Sequence, residues 1–87
     1  MKSATIPIRV TVLDTWEELA FDLPPETTVA EVKRTALDRC RIRRPPSQYV
    51  VKYLGAELFE NGTTLAEAGV VANGALIVLP RRRLPAR

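Results

Sequence analysis

The side chains best able to do chemistry in this 87-residue chain are one thiol, ten carboxylates and thirteen lysines and arginines, and histidine is absent. Without an imidazole there is no Ser-His-Asp or Cys-His pair, no His-ligated zinc and no proton shuttle of the usual kind. The one cysteine, Cys40, can build neither a thiolate zinc site nor an internal disulfide. The carboxylates are scattered, with no D-x-D-x-D-G loop and no glycine-rich phosphate cradle among them. Catalysis, a bound metal and a cofactor are therefore not expected, and binding is the chemistry that remains.

The cations are unevenly placed. The segment 33–52 carries a net charge of +6 and the stretch 81–87 a further +4, whereas the rest of the chain sums to −7, giving +3 for the whole. Arg39, Arg41, Arg43 and Arg44 with Arg81, Arg82 and Arg83 form a candidate basic patch for an anionic partner such as a nucleic acid, a membrane surface or an acidic protein face. The plainer reading is a helix C-terminus whose cations complement its dipole, followed by a solvated tail. No RNP-like aromatic sheet motif and no helix-turn-helix pattern accompanies the charge, so nucleic acid is not the expected partner.

These residues must be carried by one small domain. Eighty-seven residues leave room for a single thin core, and 46% apolar with 26% charged residues is the composition of an ordinary soluble globular protein. No apolar run nears the ~18 residues needed to span a bilayer. Met1 to Pro7 shows no continuous apolar segment of the signal-peptide kind, and a lone cysteine suits a reducing compartment, so a cytoplasmic protein is expected.

Period-two alternation of Ile8, Val10 and Val12 with Arg9 and Thr11 predicts a half-buried strand over 6–13. After the turn residues Asp14 to Glu17, Leu19, Phe21 and Leu23 alternate in a second strand, making a hairpin that Pro24-Pro25 stops. Thr28-Val29-Ala30-Glu31 fits a capping box, and Val29, Val32, Ala36, Leu37 and Cys40 fall on one helical stripe with Lys33, Arg34 and Asp38 off it. A helix of about fourteen residues, roughly 21 Å long, follows, ended by Arg41 to Arg44 and Pro45-Pro46. Cys40 on that stripe reads as a small buried hydrophobe. Residues 49–54 are a strand by composition, Glu57 to Phe59 a short extended piece, and Thr64 to Ala68 one helical turn closing on Gly69. Ala75 to Leu79 make a last, near-continuously apolar strand, placed centrally beside the first. The result is an α+β β-grasp: a mixed sheet of four to five strands packed on one main helix, spanning 1–80, with 81–87 a flexible basic tail.

The residues Thr28 to Lys33, Pro45 to Gln48, Tyr53 to Leu58, Thr64 to Val70 and Leu76 to Leu79 resemble ubiquitin and ubiquitin-like proteins in order and spacing over about residues 6 to 83. The resemblance implies that the Pro-Pro follows the helix, that Gly55 makes the turn after the third strand, and that Thr64 to Val70 packs a one-turn helix under the sheet. It also implies a partner surface on the sheet, centred in ubiquitin on an isoleucine whose place Lys52 takes here. The chain-linking lysine position corresponds to Ala56. Ubiquitin-type modifiers and sulfur carriers end in Gly-Gly, which threads an activating enzyme's narrow channel because glycine lets the backbone be closely gripped; here the last glycine is Gly74, before the final strand. The chain is in this respect similar to bacterial ubiquitin-like proteins found with type VII secretion systems.

The expected function is a non-catalytic, bacterial, ubiquitin-like adaptor that binds a protein partner through its sheet face. The alternative is a diverged protein modifier, conjugated or processed at its C-terminus and served by ubiquitin-type activating or transfer enzymes. A third is a basic nucleic-acid or membrane-surface binder. On the strands, Leu76 and Val78 should face the helix, turning Ile77 and Leu79 outward beside Val50 and Lys52. Trp16, in the first turn, either joins that face as an anchor or folds back over a strand end.

Overall fold

The computed structural model describes residues 5–81. Its elements are β1 (Ile6–Val12), β2 (Glu17–Leu23), α1 (Val29–Arg39), a 3-10 turn at Pro46–Gln48, β3 (Tyr49–Tyr53), β4 (Ala56–Glu57) and β5 (Gly74–Pro80). One five-stranded sheet has the order β2-β1-β5-β3-β4. β1 runs parallel to β5, and the other neighbouring pairs are antiparallel. This is the expected mixed β-grasp, with the last strand in the centre.

Alternation decides which face is covered. Ile8, Val10 and Val12 of β1 and Leu76 and Val78 of β5 are fully buried against Val29, Val32, Ala36 and Leu37 of α1. Leu65 and Val70, from the segment between β4 and β5, complete the core. A single helix can cover only one face, so the other side of β5 presents Ala75 and Ile77 as exposed residues. Pro80 is accommodated at the end of this strand because of register. The Arg81 N–H donates to the Gln48 carbonyl, which turns residues 79 and 77 toward β3 and Pro80 away from it. Its missing donor is not wanted there.

The capping box forms as expected: the Glu31 N–H donates to Thr28 Oγ1 at 3.1 Å and the Thr28 N–H to the Glu31 carboxylate. The helix is shorter than the periodicity suggests, at 11 residues. It stops in a Schellman arrangement: the Ile42 N–H donates to the Leu37 carbonyl and the Arg41 N–H to that of Asp38. Arg41 takes the left-handed conformation that glycine usually fills, at φ 60°, and Ile42 packs back on the core. With arginine at the stop position, the sequence signal for that ending is missing. Cys40 consequently lies at the helix cap and is half-buried, where full burial was expected.

A second correction concerns Lys33. Counted above with the solvated basic segment, it is buried, and its ammonium donates to the Tyr49 carbonyl at 2.9 Å and pairs with Glu60 at 2.6 Å. The reason lies in β3. β4 ends at Glu57, the Leu58 N–H takes the Val51 carbonyl, and the Tyr49 carbonyl, facing away from β5, is left without a strand donor. Lys33 reaches across from α1 to supply one.

Candidate functional site

The uncovered sheet face is organised by the β3–β5 register, in which Val50 lies opposite Leu79 and Lys52 opposite Ile77. The four residues share one face, and β1 extends it at Thr11, opposite Ile77 on its other side. An open groove runs at the carboxyl end of β5, with Leu13, Val50, Lys52, Leu79 and Pro80 among its walls and Glu57 and Arg81 at its rim. Ile77 is 40% exposed and Leu79 half-buried. Val50 departs from the expected accessible contact: at 6% exposure it is the groove floor, beside Leu79, and it stands outside the helix-side core. Lys52 stands across from Glu57 on β4 and makes no ion pair among the described residues.

Nothing in the sequence marks Leu13 as a groove residue. It is the last apolar residue before the turn, and its N–H donates to the Val78 carbonyl, which carries it alongside β5. Trp16 occupies the hairpin tip, 78% exposed and at φ 56°. It covers no strand end, and it is not among the residues that line the groove. A bulky residue in the left-handed region costs about 1–2 kcal/mol, a cost that glycine avoids. Because so little of the indole is buried, Trp16→Gly is expected to raise the unfolding free energy by about 0.5–1 kcal/mol after the chain-entropy penalty of glycine. Urea denaturation measures this; a less stable variant would show that the indole packs on the fold.

The tip is tied to the end of the helix. Tyr49 is fully buried, and its hydroxyl donates to Asp14 Oδ2 at 2.5 Å, while the Arg44 guanidinium approaches the same carboxylate at 3.7 Å. Burial, and then the Asp14 carboxylate, push the Tyr49 phenol above its usual range. The neutral phenol is thus favoured in the folded state, and its contribution to stability is lost as pH rises through the raised value. Thr15 Oγ1 donates to the Cys40 sulfur at 3.6 Å. Burial, with help from Glu17, raises the Cys40 pKa, so less thiolate forms and the thiol is a poor nucleophile.

The candidate basic patch does not form one continuous stripe. Arg39 lies over the Phe21 ring at 5.4 Å, Arg44 is held by Asp14, and Arg81 meets Glu57 at 4.0 Å. Arg41 and Arg43 are exposed and make no ion pair among the described residues. Arg82 and Arg83 lie outside those residues. Arg44 and Arg81, distant in sequence, share the lining of a second, smaller notch with Ser47, Gln48, Tyr49 and Pro80. Among the described residues no group of three His, Cys, Asp or Glu is placed to hold a metal ion, and no helix is long and apolar enough to cross a membrane.

A scan of protein-family models finds no match to the sequence, and neither does a search of curated proteins. Solved structures match strongly. A de novo design based on ubiquitin superposes with a TM-score of 0.77 at 23% identity, covering 99% of this chain and 100% of that one. The ubiquitin of Caldiarchaeum subterraneum gives a TM-score of 0.76 at 19% identity, covering 94% of this chain and 99% of its own. A ubiquitin-like domain from an Arabidopsis thaliana protein gives 0.72 at 18% identity, covering 97% of this chain and 85% of that one. At these identities the likeness establishes the fold, which is ubiquitin-like.

Proposed function

We propose that this ubiquitin-like domain is a non-catalytic interaction module, an adaptor that binds a protein partner through the outer face of β3 and β5. The observation that carries the reading is the exposed apolar row itself. Ile77, exposed, and Leu79, half-buried, stand on the helix-free face at a groove floored by Val50, where no other element of the fold covers them. Apolar side chains presented on a rigid strand lose little entropy on binding and bury area at once. Lys52 among them favours a partner that brings carboxylate or carbonyl oxygens to the face. Trp16, exposed at the hairpin tip, is a second anchor for a partner broad enough to reach it.

The test is capture of partners from the native host by immobilised protein, followed by identification and a measured affinity for the pure partner. Ile77→Asp is expected to weaken that affinity by about 2 kcal/mol, some thirtyfold, with the unfolding midpoint nearly unchanged because residue 77 faces solvent. Trp16→Ala should act in the same direction. Full-strength capture by the Ile77→Asp protein would move the partner site off the sheet face; loss of folding would mean that the residue 77 side chain belongs to the core.

A further inference from the structure

We infer that the notch between Arg44 and Arg81 is a carboxylate subsite, and that the occupant of the sheet face is an extended acidic peptide segment whose apolar residue lies in the groove and whose acidic residue enters the notch. The inference rests on the sheet-face reading and names the chemistry of its partner.

The two depressions adjoin across the carboxyl end of β5, where Pro80 and Arg81 line both. Among the described residues, the charged side chains that line the two depressions are Lys52, Arg81 and Arg44 with Glu57, and Asp14 stands beside Arg44, which leaves a net positive charge for an anionic occupant. Neither arginine is fully engaged within the protein. Arg44 stands 3.7 Å from Asp14 with 62% of its side chain exposed, and Arg81 stands 4.0 Å from Glu57 with 55% exposed. Each keeps guanidinium donors for a ligand.

Both arginines are nonetheless positioned. The Arg81 N–H is bonded to the Gln48 carbonyl at 2.6 Å, and its Nε reaches the Ser47 carbonyl at 3.4 Å, fixing the start of the side chain against the loop before β3. Arg44 is oriented at one remove: buried Tyr49 holds Asp14, and Asp14 draws the guanidinium. Cations held in place before the ligand arrives give up less entropy on binding, which suits a specific carboxylate contact better than diffuse attraction. A nucleic acid fits less well. The groove is lined by the aliphatic residues Leu13, Val50, Leu79 and Pro80, where a base would want an aromatic platform.

The experiment is an amide chemical-shift titration of the isotopically labelled full chain with two blocked pentapeptides, acetyl-Leu-Ala-Asp-Glu-Asp-amide and its neutral analogue acetyl-Leu-Ala-Asn-Gln-Asn-amide. The acidic peptide is expected to shift Ser47, Gln48 and Arg81 together with Val50 and Leu79, and to bind about tenfold more tightly than the analogue. Arg44→Gln and Arg81→Gln, singly and together, should remove that preference while leaving the shifts at Val50 and Leu79. Equal affinity for the two peptides, or no shift at the notch, overturns the subsite and leaves sheet-face docking to its own test. Notch shifts without groove shifts would support the subsite and count against the sheet face. A thymidine oligonucleotide that shifts the notch at lower concentration than the acidic peptide would assign this cleft to nucleic acid and overturn the proposal. The peptide comparison uses the unaltered protein, so it stands even if an arginine variant folds poorly.

Discussion

Replacing Glu60 with alanine is expected to destabilise this domain by about 3 kcal/mol, a large fraction of the 5–15 kcal/mol that holds a domain of this kind folded. The Lys33 side chain is 4% exposed and its ammonium has two acceptors, Glu60 at 2.6 Å and the Tyr49 carbonyl at 2.9 Å. Removing the carboxylate leaves a largely buried positive charge with one neutral acceptor. The reverse deletion is milder. Glu60 keeps 22% of its side chain exposed and can be hydrated when its partner goes. Lys33→Met should therefore cost about 1 kcal/mol, mostly the lost donor to the Tyr49 carbonyl. The double variant should recover most of what Glu60→Ala loses, because the stranded charge is gone. Urea denaturation of the three proteins reads this directly. Equal costs for the two single variants would mean that the pair acts as an ordinary surface contact.

Leu65→Ala is expected to cost about 3 kcal/mol, and to do so locally as well as globally. Residues 58 to 73 contain no strand and no full helix, yet they close the open end of the core. Backbone bonds dock the segment on the loop before α1: the Leu65 N–H donates to the Thr27 carbonyl, the Ala66 N–H to Pro25, and the Val29 N–H to Thr63. Thr64 and Glu67 cap the turn reciprocally, both bonds at 3.1 Å. The fully buried Leu65, with Val70, anchors this segment to the core beneath those bonds. Truncating it should leave a cavity and raise amide exchange at residues 63 to 70 ahead of β1 and β5. Exchange that speeds up uniformly across the sheet would show that the segment has no stability of its own to lose.

The fold was legible in the sequence because its signals are local and periodic. Alternation in 6–13 and 19–23, the Thr28–Glu31 capping box, the proline stops and the apolar run at 75–79 each follow from chain geometry over a few residues, and together they leave little choice but a helix on one side of a mixed sheet. The outward placement of Ile77, Leu79 and Lys52 came from the same source, since a strand alternates wherever it sits.

What only the tertiary structure decided are the matters that depend on distant residues. Lys33 reads as a solvated cation on a helix, and its burial follows from a β3 carbonyl that a short β4 fails to satisfy and a carboxylate at position 60. The left-handed residues Trp16, Arg41 and Leu54 carry no glycine to announce them, because packing on either side sets those backbone angles against local preference. Val50 could be assigned to a face but not to a depth, which neighbouring side chains determine. The pairing of Arg44 with Arg81 across one notch is of the same kind: 37 positions apart in the chain, they meet because β3 begins where β5 ends. Periodicity assigns a residue to a face, whereas burial, charge compensation and the composition of a cleft arise only when separate elements are brought together.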